Sequence, residues 1–320
     1  MKTSWRHGLG IAVFCLFIVS GTSVSTCAEE TTVPQQGNNA AAPEYSHGAG
    51  TVTGTTPASL RLGSDYRLLL FPTGDFYRPY AADPLRTGFG IERMHVTAGN
   101  IPGAGSSRYA LRAGGYFGVA RIQPNDNPDV GVQLDIGGGL DGQFDLDHFR
   151  DNIGWDGHYG AIMTAAPDRS LSFKLGVQHV SAHLGDLPPE RLGRGLIDYS
   201  RMELVPGVSW QIDEQLRTYA EAGWGFYLLN SELQRPGRVQ FGLEYEYPLW
   251  RSLGCYAAGN FSAMEERSWR IDNSLQLGFV MHSGQRTWRF GFQRYHGRPT
   301  MSEFFQNTET SLSFGLWLDL

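Results

Sequence analysis

Three residues of one short stretch, His179, Ser181 and His183, carry the side chains needed for nucleophilic catalysis. Residues two apart on a β-strand project from the same face with Cα atoms roughly 7 Å apart, so an imidazole that leans along the strand can reach the hydroxyl. A serine hydroxyl is a weak nucleophile until such a base takes its proton. The spacing predicts Ser181 as a nucleophile with His179 as its base. His183, with Asp186 as its partner, stays open as the alternative base.

A third group is needed to orient the base, and Asp198 is the predicted residue. Asp198 and Ser200 share the parity of the apolar positions in the segment that follows, so across a hairpin they come to lie beside Ser181. Glu203 has the opposite parity and is less suitable. A non-catalytic interpretation stays open, because a three-residue pattern arises easily by chance. Such polar residues can also form a hydrogen-bonded girdle at the rim of a β-structure.

These residues must be positioned by a strand that has one apolar face. Apolar residues alternate with others from Leu171 to Val177, and the His and Ser residues continue the same parity. A His or Ser side chain left unpaired against lipid costs roughly several kcal/mol. We therefore expect this polar extension of an apolar face either to lie at an interface or to have a function.

Alternation with a period of two recurs along the chain. The clearest run sets Val239, Phe241, Leu243, Tyr245 and Tyr247 on one face and Gln240, Gly242, Glu244 and Glu246 on the other. Turn-forming residues separate the runs. The predicted strands are 89–97, 107–121, 129–140, 155–166, 170–183, 198–212, 215–229, 237–249, 252–263, 271–282, 286–296 and 308–320. This pattern predicts an all-β fold, a transmembrane antiparallel up-and-down β-barrel of about 12 strands, since bacterial outer-membrane barrels have an even number of such strands.

A soluble sandwich or a lipocalin-like barrel is the alternative fold. Its strands also alternate, but they usually run about five to six residues and their apolar face looks inward. Here the runs are longer, and the polar face carries Glu, Gln, Arg and Asp residues that suit a wet lumen. Strand length and polarity together favour the membrane barrel.

Composition excludes other classes of protein. The chain has 320 residues, of which 41% are hydrophobic, 18% are charged and 41 are Gly. These proportions exclude a disordered chain, a coiled coil and a helical bundle. The formal charge of −6 comes with no basic run, so nucleic-acid binding has no electrostatic support.

The N-terminal part has the features of an export signal. Residues 1–28 combine Lys2 and Arg6 with a short apolar core and a small-residue end, which predicts a signal peptide. Residues 29–65 are polar and without periodicity and are predicted to form a flexible periplasmic leader. The barrel is expected over 66–320, and its first part, 66–88, is expected to form a turn or plug.

Cysteine usage agrees with export without a disulfide. Removal of the signal peptide takes away Cys15 and Cys27 and leaves Cys255 alone in a strand-like run. Lipid attachment at Cys27 is a rival interpretation of the signal region, because the preceding residues loosely match a lipobox. A closed sheet can stabilise an exported chain in place of a disulfide.

Three stretches resemble one bacterial family. They are Phe71 to Gly90, with the sequence FPTGDFYRPYAADPLRTGFG, His179 to Asp186, and Asp198 to Glu203. They resemble a family catalogued as a domain of unknown function, number twelve-zero-seven, and the likeness extends from about residue 66 to the C-terminus. The resemblance implies an outer-membrane barrel and no particular activity.

The His-x-Ser segment itself resembles a second group of proteins. His179-Val180-Ser181 is similar to the pair found on the outer wall of two barrel enzymes, the outer membrane phospholipase A and the lipid A deacylase. In the phospholipase an Asn shortly after the pair orients the base, and Asp198 is the position that corresponds to it here. The resemblance implies a serine-dependent lipid acyl hydrolase. No cofactor is predicted from the residues, and calcium enters only through this resemblance.

Strand direction indicates where the site would lie. With both termini in the periplasm, odd-numbered strands run outward. The fifth predicted strand, 170–183, then ends at the cell surface of the bacterial outer membrane and places Ser181 near the outer leaflet. The expected partners are outer-membrane lipids and, because the chain ends on an alternating apolar strand, the barrel assembly machinery. The oligomeric state stays open.

The second functional hypothesis is a non-catalytic barrel, either a narrow pore or a structural surface protein. Its chemistry would be confined to charges that face the lumen, namely Arg112, Glu221, Glu244, Glu246 and Arg289. About twelve strands enclose a narrow lumen, so a wide porin-like channel is the less favoured form of pore.

Overall fold

The computed structural model describes residues 58–187 and 195–319, which contain fourteen strands. The predicted signal peptide and almost all of the predicted leader lie outside the described residues. The strands are β1 (Ser59–Leu62), β2 (Tyr66–Leu70), β3 (Phe89–Ala98), β4 (Ser107–Pro124), β5 (Gly131–Asp145), β6 (Asn152–Ala166), β7 (Leu171–Leu184), β8 (Ser200–Gln211), β9 (Leu216–Leu228), β10 (Gly237–Trp250), β11 (Leu253–Met264), β12 (Ile271–Ser283), β13 (Arg286–Gly297) and β14 (Glu309–Asp319).

Twelve of these strands, β3 to β14, form a closed antiparallel barrel. Each strand pairs with the next along the chain, and β14 pairs with β3 to complete the ring, with Leu318 opposite Phe89. Closure leaves no unpaired sheet edge in the ring, which a barrel in lipid requires. The predicted all-β fold and its twelve barrel strands are confirmed.

Two short strands, β1 and β2, add to the predicted set. They form a hairpin that pairs with the end of β4, where Tyr66 lies opposite Pro124 and Leu70 opposite Ala120. The hairpin uses a part of β4 that β3 does not reach, because β3 pairs with β4 only up to Arg112. Period-two runs of four and five residues are too short to stand out in the sequence.

The connections differ in length between the two ends of the barrel. At one end, here called the short-turn end, strands are joined across 251–252 and 284–285. At the other, the long-loop end, β7 leads to β8 across 185–199 and β13 leads to β14 across 298–308. Bacterial outer-membrane barrels have short turns in the periplasm and longer loops outside. No helix in the described residues is long and apolar enough to cross a membrane.

Side chains sort between the two faces as the alternation predicts. On β10, the side chains of Phe241 and Leu243 face outward and are 52% and 50% exposed. The side chain of Gln240, on the same strand, faces inward and is 6% exposed. Successive side chains of a strand point to opposite faces, so one closed sheet has an apolar outer wall and a polar lumen. The same alternation continues on β12, β13 and β14.

The connection between β2 and β3 passes through the lumen. This lumen segment, residues 71–88, contacts inward side chains of several strands. Tyr80 stacks on Tyr219 with 3.7 Å between the ring centroids and donates a hydrogen bond of 3.0 Å to Glu221. The Ala81 amide donates to Glu244 at 2.7 Å. Both of these carboxylates in the lumen therefore accept hydrogen bonds from the lumen segment.

Most of the charged residues that the sequence predicts to face the lumen form ion pairs. Arg112 pairs with Glu92 at 2.9 Å, and Arg289 pairs with Asp319 at 2.8 Å. Glu221 pairs with Lys174 and with Arg238, and Glu246 contacts His282 at 2.5 Å. Pairing of this kind is how buried charges are accommodated.

The pair formed by Arg217 and Glu244 links the lumen segment to the barrel wall. Arg217 donates to Glu244 at 2.9 Å and also to the backbone carbonyls of Pro79 and Arg78. Glu244→Ala leaves the buried guanidinium without its carboxylate and is expected to lower the free energy of unfolding by about 3 kcal/mol. The measurement is urea unfolding of the purified barrel in detergent.

The matched control is Glu246→Ala, which changes the same residue type on the same strand and face. The Glu246 side chain is 36% exposed, against 16% for Glu244, and exposed pairs contribute about 1 kcal/mol or less. Equal effects of the two substitutions would contradict a structural role for the Arg217 pair.

The long-loop end of the lumen is covered by the connection between β13 and β14. Met301 and Phe304 pack in a buried cluster with Ile101, Ile153 and Leu187. The Ser302 amide donates to both carboxylate oxygens of the inward-facing Asp156, at 3.0 and 2.9 Å. Within the described residues, 71–88 thus occupies the lumen and this loop covers it, and a cavity of about 180 Å³ remains between them.

Candidate active site on the outer wall

The predicted site residues of β7 lie on the outer wall near the long-loop end. His179, Ser181 and His183 are partly exposed, whereas Ala182 between them is buried against the interior. They continue the outward face on which Phe173 and Leu175 are 44% and 45% exposed. The structure therefore has these three polar side chains on the outside of the barrel, above an apolar wall.

The hydrogen bond of Ser181 is made with His183. Its Oγ lies 3.3 Å from the Nε2 atom of His183. His179 instead lies against Tyr159, with 4.4 Å between ring centroids and the ring planes tilted by 32°. Its Nδ1 atom is buried and has no hydrogen-bond partner among the described residues. Of the two candidate bases, the geometry favours the alternative one, His183.

Aromatic side chains of β6 hold both imidazoles. Trp155 lies opposite His183 across the β6–β7 pair and stacks on it, with centroids 4.0 Å apart and ring planes 21° apart. Tyr159 is in the same relation to His179. Because stacking restricts rotation of the ring, Trp155 keeps the Nε2 edge of His183 toward Ser181.

Between these two stacks, β6 has a glycine directly opposite Ser181. Gly157 pairs with Ser181, and a Cβ atom built there would come no closer than 3.5 Å to the nearest atom, in Trp155. The absence of a side chain leaves a notch, bounded by Trp155 and Tyr159, beside the serine hydroxyl. An extended acyl chain can approach the hydroxyl through such a gap in the wall.

On the other side of Ser181, β8 supplies Ser200. The two serines are register partners, and the Ala182 amide donates to the Tyr199 carbonyl at 2.8 Å. The Ala182–Tyr199 pair is therefore the hydrogen-bonded one, and Ser181–Ser200 is the closer, non-hydrogen-bonded pair, with Cα atoms about 4.5 Å apart. Both serines lie on the outer face.

Asp198 is held close to this group by a distant part of the chain. Glu303 accepts hydrogen bonds from the amides of Ile197 and Asp198 at 2.7 and 3.0 Å. Asp198 has a φ of 53°, in the left-handed region, which Asp tolerates better than most residues. Its carboxylate is exposed.

Asp186, the predicted partner of His183, bonds to a different residue. Its carboxylate accepts the Asn152 amide at 2.9 Å. Among the predicted residues, the structure brings Ser181 and His183 into hydrogen-bond contact, with Ser200 opposite Ser181. Asp198 lies two residues before Ser200, and His179 lies against Tyr159. Trp155, Gly157 and Glu303 also shape the site, although nothing in their local sequence indicates it, because their contacts form only between strands or loops.

Groups of side chains that could hold a metal ion are absent from the described part of the chain. Within 58–187 and 195–319, no three His, Cys, Asp or Glu side chains lie together as a metal-binding group.

One known family matches this chain over almost its whole length. A family model described as a protein of unknown function, DUF1207, matches residues 13–318. The chain belongs to the DUF1207 family. The resemblance inferred from its sequence is confirmed, and no curated protein matches it.

Solved structures similar to this DUF1207 member are barrels. The outer membrane phospholipase A from Escherichia coli matches with a TM-score of 0.53 at 10% sequence identity, over 76% of this chain and 100% of that chain. A Salmonella typhi outer membrane phospholipase, solved as a dimer with bound calcium, matches with a TM-score of 0.52 at 10% identity, over 76% and 94% of the two chains. A porin named KdgM matches with a TM-score of 0.37 at 7% identity, over 72% and 99%.

These likenesses concern the fold. At such low identity, the two phospholipase structures show that this DUF1207 chain is an outer-membrane-type β-barrel. Activity depends on the residues of the site and does not follow from the fold.

Proposed function

We propose that this protein is a lipid acyl hydrolase of the bacterial outer membrane, with Ser181 as nucleophile, His183 as general base and Asp198 as the residue that orients the base. The observation that carries the proposal is the 3.3 Å contact between Ser181 Oγ and His183 Nε2 on the outer wall. Nucleophile and base within hydrogen-bond reach, with a third group near the base, is the geometry of serine hydrolases.

The reaction follows from these positions. Neutral His183 accepts the hydroxyl proton at Nε2 while Ser181 Oγ attacks the carbonyl carbon of an ester. The oxyanion forms next to the hydroxyl of Ser200, which can donate a hydrogen bond to it. The protonated imidazole then gives its proton to the departing alkoxide, and a water molecule activated by the same imidazole releases the fatty acid from Ser181.

Asp198 has an electrostatic role in this scheme. A carboxylate near the imidazole stabilises the imidazolium that forms during the attack and favours the tautomer with a free Nε2. Asp198 lies two residues before Ser200, the register partner of Ser181, and Glu303 holds the backbone that carries it. Ser181, His183 and Asp198 thus have the three roles that ester hydrolysis needs.

The position of the site indicates its substrate class. Ser181 faces outward, so a substrate reaches it from the membrane without entering the lumen. With both termini periplasmic, β7 runs toward the cell surface, and the long-loop end lies at the outer leaflet. The exposed wall below the site, including Phe173 and Leu175, is suited to contact acyl chains. The substrate is therefore an acyl ester of an outer-leaflet lipid.

Occupancy of the lumen favours this proposal over a pore. Conduction would require displacement of residues 71–88, whose tyrosines and backbone are bonded to Glu221 and Glu244. It would also require movement of the loop that carries Met301 and Phe304. Catalysis on the outer wall requires neither change.

The direct test is covalent labelling. The full chain, purified in detergent, is treated with a lipid-like fluorophosphonate, which reacts only with an activated serine, and the modified residue is located by mass spectrometry. Fatty-acid release from phospholipid and from lipid A is measured in parallel micelles to distinguish the two substrates. The expected result is a label on Ser181 and release from one of the lipids. Labelling at another serine, or no release from either lipid, would refute the proposal.

The notch at Gly157 offers a test of substrate approach. Gly157→Ile fills the gap beside Ser181 with a branched side chain and is expected to reduce fatty-acid release about tenfold or more, because the acyl chain can no longer reach the hydroxyl in a reactive position. Gly157→Ala, whose methyl group has room, serves as the control and is expected to keep most of the activity. Equal rates for the two variants would place the acyl chain elsewhere.

A further inference from the structure

A second group of polar residues lies on the outer wall, far from Ser181. Arg93 and His95 on β3 and Arg294 and His296 on β13 point outward near the long-loop end. Three of them are exposed and His296 is half-buried. We call these four residues the basic patch. Strands β13, β14 and β3 are adjacent in the ring, whereas β7 is four strands from β3 on one side and six from β13 on the other. The basic patch is therefore separate from the candidate active site.

The register places the patch residues beside one another. Leu312 of β14 is the partner of Arg294 on one side and of His95 on the other, and Phe314 is the partner of Arg93. Neighbouring strands lie about 4.8 Å apart, so the patch residues of β13 and β3 stand on either side of β14, with their strands roughly 10 Å apart. Arg294 and Arg93 thus form two centres of positive charge.

Among the described residues, the four side chains of the patch form no ion pair with a carboxylate. Arg93 lies 5.5 Å from the centroid of the Tyr109 ring and donates to the backbone carbonyls of Met94 and Arg108. Arg294 donates to Asn273 at 3.2 Å, and His296 contacts Thr310 at 2.8 Å. The carboxylates of β3, β12 and β14 are Glu92, Asp272, Glu309 and Asp319, and they bond to arginines of the lumen side.

Below the patch the wall is apolar. Phe292 and Phe314 contact each other edge to face at 5.2 Å and are 60% and 50% exposed. Leu277 and Leu316 extend this surface. A surface that is basic above and apolar below matches an amphipathic lipid with a negatively charged headgroup. Guanidinium groups bind phosphate oxygens in paired, charge-assisted hydrogen bonds.

We propose that the basic patch binds the headgroup of an outer-leaflet glycolipid of the lipid A type, with Arg93 and Arg294 each contacting a phosphate and the acyl chains lying on Phe292 and Phe314. Two phosphates on one headgroup match the two centres of charge separated by β14. The inference rests on the proposed outer-membrane location but not on the proposed hydrolysis.

The test measures binding of bisphosphorylated lipid A to the full chain in neutral detergent micelles. The double variant Arg93→Gln, Arg294→Gln is expected to bind at least about tenfold more weakly than the native protein. Arg286→Gln, which removes an exposed arginine of the same strand β13 at the short-turn end, is the matched control and is expected to leave binding unchanged. The variant with Lys at both positions keeps the charge but loses the paired guanidinium hydrogen bonds. It is expected to bind more tightly than the Gln variant and more weakly than the native protein, which separates loss of charge from misfolding.

Further measurements identify the ligand and show whether its binding depends on the proposed hydrolysis. Dephosphorylated lipid A is expected to bind native protein as weakly as the double variant binds intact lipid A, and inorganic phosphate is not expected to compete. Equal affinity of the double variant and the native protein would overturn the proposal, as would full competition by phosphate, which would indicate a simple anion site. Ser181→Ala is expected to bind lipid A like the native protein, so failure of the hydrolase proposal would leave this result intact.

Discussion

Replacement of Ser181 by alanine is expected to reduce fatty-acid release by about 10³-fold or more while the barrel still folds. In the proposed scheme the hydroxyl is the protein group that forms a bond to the acyl carbon, and loss of a nucleophile in a serine hydrolase leaves only the small rate contribution of binding and oxyanion stabilisation. The side chain is partly exposed on the outer wall, so its removal creates no cavity in the interior. Release is measured in mixed micelles, and folding by heat-dependent mobility in gels.

The matched control is Ser172→Ala on the same strand. Ser172 is 9% exposed and faces inward near the short-turn end, so the substitution removes a hydroxyl from β7 without touching the outer wall. It is expected to leave the rate of release unchanged. Undiminished release by Ser181→Ala would end the case for hydrolysis at this serine, whatever the control showed.

The second large effect distinguishes the two histidines. His183→Ala is expected to lower the rate by about 10³-fold, because it removes the group within reach of the Ser181 proton. His179→Ala is expected to lower it by less than about tenfold, since His179 stacks on Tyr159 and does not share the hydrogen bond of Ser181. The rates of both variants are measured with the same lipid and compared with the native protein.

The pH dependence of the native rate provides an independent reading of the base. The imidazole must be neutral to accept the serine proton, so the rate is expected to fall as the pH is lowered through the range in which the base becomes protonated. A larger loss of rate with His179→Ala than with His183→Ala would make His179 the base, as the His-x-Ser spacing alone predicts. The contact of Ser181 with His183 would then be a resting arrangement that does not lead to reaction.

Much of the fold follows from local pattern. Alternation from Val239 to Tyr247 predicts both the strand and its outward face, because every second side chain of a strand shares one side. The predicted strand 107–121 was too short by three residues, since β4 extends to Pro124 through its pairing with the β1–β2 hairpin. Strand ends are set by such neighbours, which the residues of β4 alone do not reveal.

The candidate site divides in the same way. The parity of His179, Ser181 and His183 with Leu171 is a property of one strand, so their common outward face is predictable from the sequence. The choice between the two histidines is not, because both lie two residues from Ser181. That choice depends on where Trp155 of β6 places the His183 ring.

Asp198 was predicted from parity, but its position depends on the whole chain. It precedes β8 and has a left-handed backbone conformation. Glu303, 105 residues away, holds it there through two amide hydrogen bonds. A contact between two connecting loops has no local period, so no pattern in either segment could predict it.

The sequence by itself determined the all-β fold, the number of barrel strands and which side chains face outward, because each follows from the period-two geometry of a single strand. Only the tertiary structure decided which histidine contacts Ser181, what fills the lumen and which outward arginines come together, because those relations arise when strands distant along the chain become neighbours in a closed sheet. Arg93 and Arg294 are the clearest case. They lie at opposite ends of the barrel sequence, and ring closure through β14 brings them to the same surface.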